Sequence, residues 1–147
     1  MKKIFVSLTL LLTAGLSAVF ANTDPNPDQE VLNLFKEKFT ASQNVTWSKQ
    51  GDYDKATFLI SGSWVTAYFN PDGQLEGYTR NLSYDQLPLA VMTAVDKRFE
   101  KSDVFTVREI SNEEGTHYVL TLKAKNVVYK IKLDPSGSFN EVEKLTR

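Results

Sequence analysis

The residues best suited to chemistry are few and scattered. His117 is the single histidine of the 147-residue chain, and there is no cysteine. A nucleophile–base pair would have to be a serine or threonine working with His117. No G-x-S-x-G elbow is present to hold such a serine. Alternation also turns His117 away from Tyr118, so it reads as a solvent-facing or edge residue. The carboxylate pairs Asp52/Asp54 and Glu113/Glu114 lie at turns, and neither has the D-x-[DN]-x-[DN]-G spacing of a calcium loop. Asn70-Pro71-Asp72-Gly73 and Asp134-Pro135-Ser136-Gly137 superficially suggest ion loops, but their residue order is that of hairpin turns. Without thiolates, iron–sulfur clusters and cysteine zinc sites are excluded. The chain is expected to carry no catalytic residue, no cofactor and no metal.

What remains is a set of aromatic residues. Trp64 and Tyr68 stand four residues apart in a strand-like run, Trp64 to Phe69, and so share the side opposite Val65, Ala67 and Phe69. Tyr53 and Tyr78, from neighbouring runs, are expected to join them, with Asp52 in the adjacent turn. Rings with an apolar body and a polar tip are enriched where proteins bind proteins. Trp64, Tyr68, Tyr53, Tyr78 and Asp52 are therefore the candidate partner-binding residues. The competing reading is that these rings pack on one another and only stiffen the sheet.

The elements that must position them follow from periodicity. Val31, Leu34, Phe35 and Phe39 make one helical stripe, with Asn26 expected to cap, Pro27 to open the helix and Gln29 to reach back. The period then shortens to two: Val45 and Trp47 share a face, and runs follow at Tyr53–Ser61, Trp64–Phe69 and Leu75–Arg80. A second helix carries Val91, Met92, Val95 and Phe99. Ser83 and Gln86 can form a capping box ahead of it, while Pro88 places the continuous helix near Pro88 itself. Four further strands are expected at about Val104–Ile110, Thr116–Lys123, Val127–Leu133 and Ser138–Leu145.

These two halves are one pattern written twice. Residues from about Asp28 to Arg80 recur from about Pro88 to Leu145: Val31, Phe35 and Phe39 correspond to Val91, Val95 and Phe99, Phe58 to Tyr118, and Phe69 and Gly73 to Leu133 and Gly137. The expected fold class is α+β, a tandem repeat of a helix plus four antiparallel strands. It gives an eight-stranded sheet with two helices on one face and the other face uncovered.

Residues 1–21 have the form of a cleavable export signal: Lys2 and Lys3, an apolar run too short to span a bilayer comfortably, and small residues ending at Ala21. Residues 22–147 then form one domain of two repeats, about 27–82 and 83–147. Without Lys2 and Lys3 the formal balance is 15 basic against 18 acidic side chains. That balance argues against phosphate-backbone binding, which needs clustered positive charge, and offers no basic patch for an anionic membrane surface. A periplasmic or secreted location is expected.

Phe39 ending the first helix, the Val45-x-Trp47 strand, the aromatic pair of strands closing on Asn70-Pro71-Asp72-Gly73, Leu87-Pro88 before the second helix, and Tyr118 to Leu133 closing on Asp134-Pro135-Ser136-Gly137 together make a family pattern. It resembles the PepSY-like, β-lactamase-inhibitor-like periplasmic proteins of Bacteroidetes over nearly the whole exported portion. The resemblance implies a tandem of helix-plus-four-strand units whose sheet surface and loops engage an enzyme, and relatives with the PepSY module have been suggested to restrain peptidases. This chain lacks the disulfides of the β-lactamase inhibitors. The functional expectation is a non-enzymatic binding module for a protein or peptide of the cell envelope. The alternatives are a carrier holding a small apolar ligand between sheet and helices, and a structural envelope protein.

Overall fold

The structure, a computed structural model, describes residues 26–145; the expected export signal lies outside them. The elements run α1 (Gln29–Lys38), β1 (Gln43–Gln50), β2 (Tyr53–Ile60), β3 (Ser63–Phe69), β4 (Leu75–Leu82), a 3₁₀ turn (Tyr84–Gln86), α2 (Leu89–Arg98), β5 (Asp103–Asn112), β6 (Gly115–Ala124), β7 (Val127–Leu133) and β8 (Phe139–Leu145). The eight strands form one antiparallel sheet in chain order.

Each helix is held by its stripe. α1 buries Val31, Phe35 and Phe39 against Ala56, Phe58, Val65, Ala67 and Phe69. Rings stack edge-on around Phe35, whose centroid lies 5.0 Å from that of Phe58 and 5.2 Å from that of Trp47. α2 buries Val91, Val95 and Phe99 against a second cluster that includes Tyr118, Leu120, Ile131 and Leu133. Both helices stop in the same way. The N–H of Phe39 donates to the Phe35 carbonyl at 2.9 Å, and that of Phe99 to the Val95 carbonyl at 2.8 Å. Lys36 and Lys38, and Lys97 and Arg98, occupy the last turns, where the helix dipole favours cations.

The start of α1 differs from the expectation. Asp28, not Asn26, is the N-cap, and Pro27 is buried ahead of it rather than opening the helix. The Gln29 side chain donates forward to Asn33 Oδ1 at 3.0 Å instead of reaching back. The Ser83–Gln86 box does form, the Ser83 N–H donating to Gln86 Oε1 at 2.8 Å. It closes the single 3₁₀ turn, Leu87 is extended as a residue before proline must be, and α2 follows from Leu89 with Pro88 as its cap.

The hairpin turns are built alike. Asn70 Oδ1 accepts from the N–H groups of Asp72 and Gln74, and Asp134 Oδ1 from those of Ser136 and Ser138. These contacts use the side chains for turn formation and hold the Asp134 carboxyl below its usual range, chiefly through the Ser136 side chain. Gly73 and Gly137 both take φ near +80°, and the Gly137 turn closes against α2: a methyl group there would sit 2.5 Å from the Ala90 carbonyl oxygen.

Cross-strand register runs from Val65 to Arg80, Arg80 to Glu109, Glu109 to Tyr118 and Tyr118 to Leu133. Between the two apolar clusters this row is ionic. Arg80 Nε and Nη2 donate to Glu109 Oε1 and Oε2 at 2.9 and 3.0 Å, with Glu109 buried and Arg80 partly open. The bidentate bonds to Glu109 hold the arginine proton more firmly than usual.

Candidate functional site

β3 carries the centre of the aromatic surface. Val65, Ala67 and Phe69 point into the α1 cluster and are almost fully buried, so Trp64, Thr66 and Tyr68 project to the other side. Trp64 is 53% exposed and stands opposite Leu59. Tyr68 is half-buried, between Lys55 on β2 and Gly77 on β4. At about 3.3 Å per residue the two rings are rooted about 13 Å apart, with Thr66 between them approaching Thr57 hydroxyl to hydroxyl at 3.5 Å. Among the described residues neither ring belongs to a stacked aromatic pair. Tyr53, 41% exposed at the start of β2, extends the surface, and Asp52 stands exposed in the β1–β2 turn.

Tyr78 does not join them. It stands opposite Ala67, and its ring centroid lies 6.1 Å from that of Phe39, on the α1 side. The cause is a register shift between Tyr68 and Phe69: Tyr68 pairs with Gly77 but Phe69 pairs with Leu75, so Glu76 is an extra residue that resets the alternation. Asp54 is also differently placed from a turn carboxylate. It is buried in β2, with the Lys49 ammonium 2.7 Å from its Oδ1. His117 lies on interior strand β6 opposite Ile110, half-buried, with Nδ1 withdrawn from solvent and lacking a hydrogen-bond partner among the described residues. Among those residues no group of three or more histidine, cysteine or acidic side chains is assembled as a metal site.

A feature that alternation in β3 does not reveal lies further along the sheet. A groove of about 680 Å³ opens over β4–β7, floored by Ile110, Val119 and Thr121 and flanked by Arg108 and Lys130. Phe105 stands at it 57% exposed, because the register slips between Val104 and Thr106 and leaves it in a bulge. Val45, its counterpart in β1, lies in a similar slip and is 38% exposed rather than sharing the side of Trp47. Tyr84 closes one end of the groove. Its hydroxyl donates to Asp96 Oδ1 at 2.8 Å, with the Met92 carbonyl at 3.2 Å as a second acceptor for the same proton, and burial, then the Asp96 bond, push its ionisation up strongly. The pointer to the groove in the sequence was the charge of the second half, where Lys130 and Lys132 replace Thr66 and Tyr68.

The fold is similar to that of a BLIP-like protein from Bacteroides fragilis, with a TM-score of 0.76 at 20% identity over 85% of this chain and 91% of that one. The fold is BLIP-like. A DUF2874 family protein from Bacteroides ovatus shares this BLIP-like fold, with a TM-score of 0.73 at 22% identity over 82% of this chain and 89% of that one. So does a candidate periplasmic protein from Bacteroides eggerthii, with a TM-score of 0.69 at 20% identity over 81% and 89%. No protein-family model and no curated protein matches the chain. Among the described residues no helix is long and apolar enough to cross a membrane.

Proposed function

We propose that the chain is an exported, non-enzymatic binding module that engages a protein or peptide of the cell envelope, and that it restrains or modulates an exported enzyme such as a peptidase. In this reading residues 22–147 are one domain made by duplication of a helix-plus-four-strand unit. The matching burial of Val31, Phe35 and Phe39 with Val91, Val95 and Phe99 supports it, as does the PepSY-like pattern of the sequence. In this reading both helices cover one side of the sheet, which the row from Val65 through Arg80, Glu109 and Tyr118 to Leu133, running from one cluster to the other, supports. The other side is left to the partner. The export signal and the naming of one fold neighbour as a candidate periplasmic protein support a periplasmic or secreted location.

The observation that carries this reading is Trp64, 53% exposed on interior strand β3 on the side opposite the buried Val65, Ala67 and Phe69, with Tyr68 on the same side of that strand. Desolvating a tryptophan rooted on a rigid strand is the kind of anchor on which interfaces depend, worth on the order of 2 kcal/mol or more. The contact surface is Trp64, Tyr68, Tyr53 and Asp52, without Tyr78. Affinity capture from a periplasmic extract, comparing the native chain with Trp64→Ala/Tyr68→Ala, tests it: a partner should be lost with the variant, and recovery of the same partners in the same amounts refutes the assignment. A carrier of small apolar ligands would need space between helices and sheet, where Phe58, Phe69, Leu120 and Ile131 pack at zero exposure.

A further inference from the structure

The binding-module reading leaves the chemistry of the partner open, and the groove over β4–β7 narrows it. We propose that this groove takes an acidic, partly apolar peptide segment of the partner. The chain as a whole is slightly acidic, with 17 basic against 18 acidic side chains, yet both charged side chains lining the groove, Arg108 and Lys130, are cationic. A smaller dip shares Ile110, Val119 and Lys130 with it and adds Lys132 and Glu141. Arg108, Val119 and Lys132 are register partners across three strands. With strands about 4.8 Å apart, Arg108 and Lys132 are rooted about 10 Å from each other with Val119 between them, and the groove's second cation, Lys130, stands two residues from Lys132 on the same strand, in register with Thr121. Glu143 and Glu141, in register with Lys130 and Lys132 on β8, are the carboxylates that temper this end.

The cations have capacity to spare. Arg80 spends its fork on Glu109, but the next register pair along the seam is Arg108 with Asn81, and there the bond from Arg108 Nε is a single long one of 3.5 Å. A guanidinium has five donors arranged to meet a carboxylate. Lys130 has no ion pair within 4 Å among the described residues. The floor of Ile110 and Val119, with Phe105 turned out of its bulge, asks for apolar side chains between the acidic ones. A phosphate backbone would instead require a denser field of cations, and its sugars would leave this apolar floor unused.

The probe is a synthetic peptide in which glutamate alternates with leucine, compared with its counterpart carrying lysine for glutamate, and followed by amide shifts of the isotope-labelled exported chain. The glutamate peptide is expected to give saturable shifts at Arg108, Ile110, Val119 and Thr121, to weaken as salt rises, and to bind at least about tenfold more tightly than the lysine peptide. Arg108→Glu with Lys130→Glu should weaken it by about tenfold or more, and Lys130→Gln alone by less, the thermal midpoint of each variant certifying its fold. Absence of binding by the glutamate peptide, equal binding of the two peptides, shifts confined to the Trp64 strand, or the same shifts from duplex DNA at the same salt would each overturn the proposal. A partner captured through Trp64 and Tyr68 but indifferent to Arg108→Glu/Lys130→Glu would overturn it while leaving the module reading intact.

Discussion

The Arg80–Glu109 pair joins two apolar clusters that otherwise share no buried residue, and removing the arginine tests how far those clusters depend on it. Exposed ion pairs contribute about 0–1 kcal/mol, and breaking a buried one costs about 3–5 kcal/mol because the surviving charge is stranded. This pair falls between: the Glu109 side chain is 8% exposed and that of Arg80 42%, so water screens one partner but hardly the other. Arg80→Ala should therefore cost about 2 kcal/mol in urea unfolding. Glu109→Gln, which keeps an acceptor oxygen and the shape, should cost about 1 kcal/mol. The double variant should recover part of the sum, with a coupling on the order of 1 kcal/mol, because it strands no charge. A loss below about 0.5 kcal/mol for Arg80→Ala, or simple additivity, would show that the two groups are neighbours without being partners. A change in the denaturant slope beside the stability loss would show instead that one half unfolds without the other.

Other substitutions separate structure from surface. Gly137→Ala should destabilise more than Gly73→Ala: both pay about 1–2 kcal/mol for left-handed backbone, but the new methyl group meets the Ala90 carbonyl at 2.5 Å in the first case and only Val31 Cγ2 at 3.5 Å in the second. Calorimetric midpoints of the two variants check the order. Leu120→Ala, at a fully buried position, should cost about 2–5 kcal/mol by chemical denaturation, while Trp64→Ala should change stability by no more than about 0.5 kcal/mol. Tyr84 and Tyr118 ionise later in the fold than in the unfolded chain, burial being the first cause for each. Their contribution is therefore complete below about pH 10 and is lost as the pH rises through the folded values. Ultraviolet titration should show their tyrosinate absorbance appearing together with the loss of ellipticity.

Much of this architecture was readable because core and turn positions obey short-range rules. The stripes of α1 and α2, the alternation of β2, β3, β6 and β7, and the Asn-Pro-Asp-Gly and Asp-Pro-Ser-Gly turns each follow from local periodicity or turn chemistry, and their burial in the structure agrees. What alternation could not supply was a change of parity. Leu75 and Tyr78 face the same way although they are three apart, because Glu76 is inserted opposite the Tyr68–Phe69 step. Nothing in the run Leu-Glu-Gly-Tyr distinguishes a bulge from a continuous strand except the glycine, which here lies so near the Ser111 carbonyl that a methyl group would come within 2.5 Å. The same kind of slip turns Phe105 outward. The aromatic half of the surface was legible because Trp64 lies in an unbroken strand. The cationic half depends on which of three separate strands lie side by side, which no single stretch of sequence encodes.

The order of the strands in space is their order along the chain, and this governs how the molecule comes apart. Every strand is zipped only to its predecessor and its successor, so fraying can begin at either rim without disturbing the middle. One junction stands out: β4 meets β5 across the long connection Ser83–Ser102, while the other neighbours are joined by tight turns. Closing a loop several times longer costs on the order of 1–2 kcal/mol more entropy. That junction is therefore the natural last step of assembly, and exchange of the amides that bond β4 to β5 would report when the two sides have become one cooperative unit.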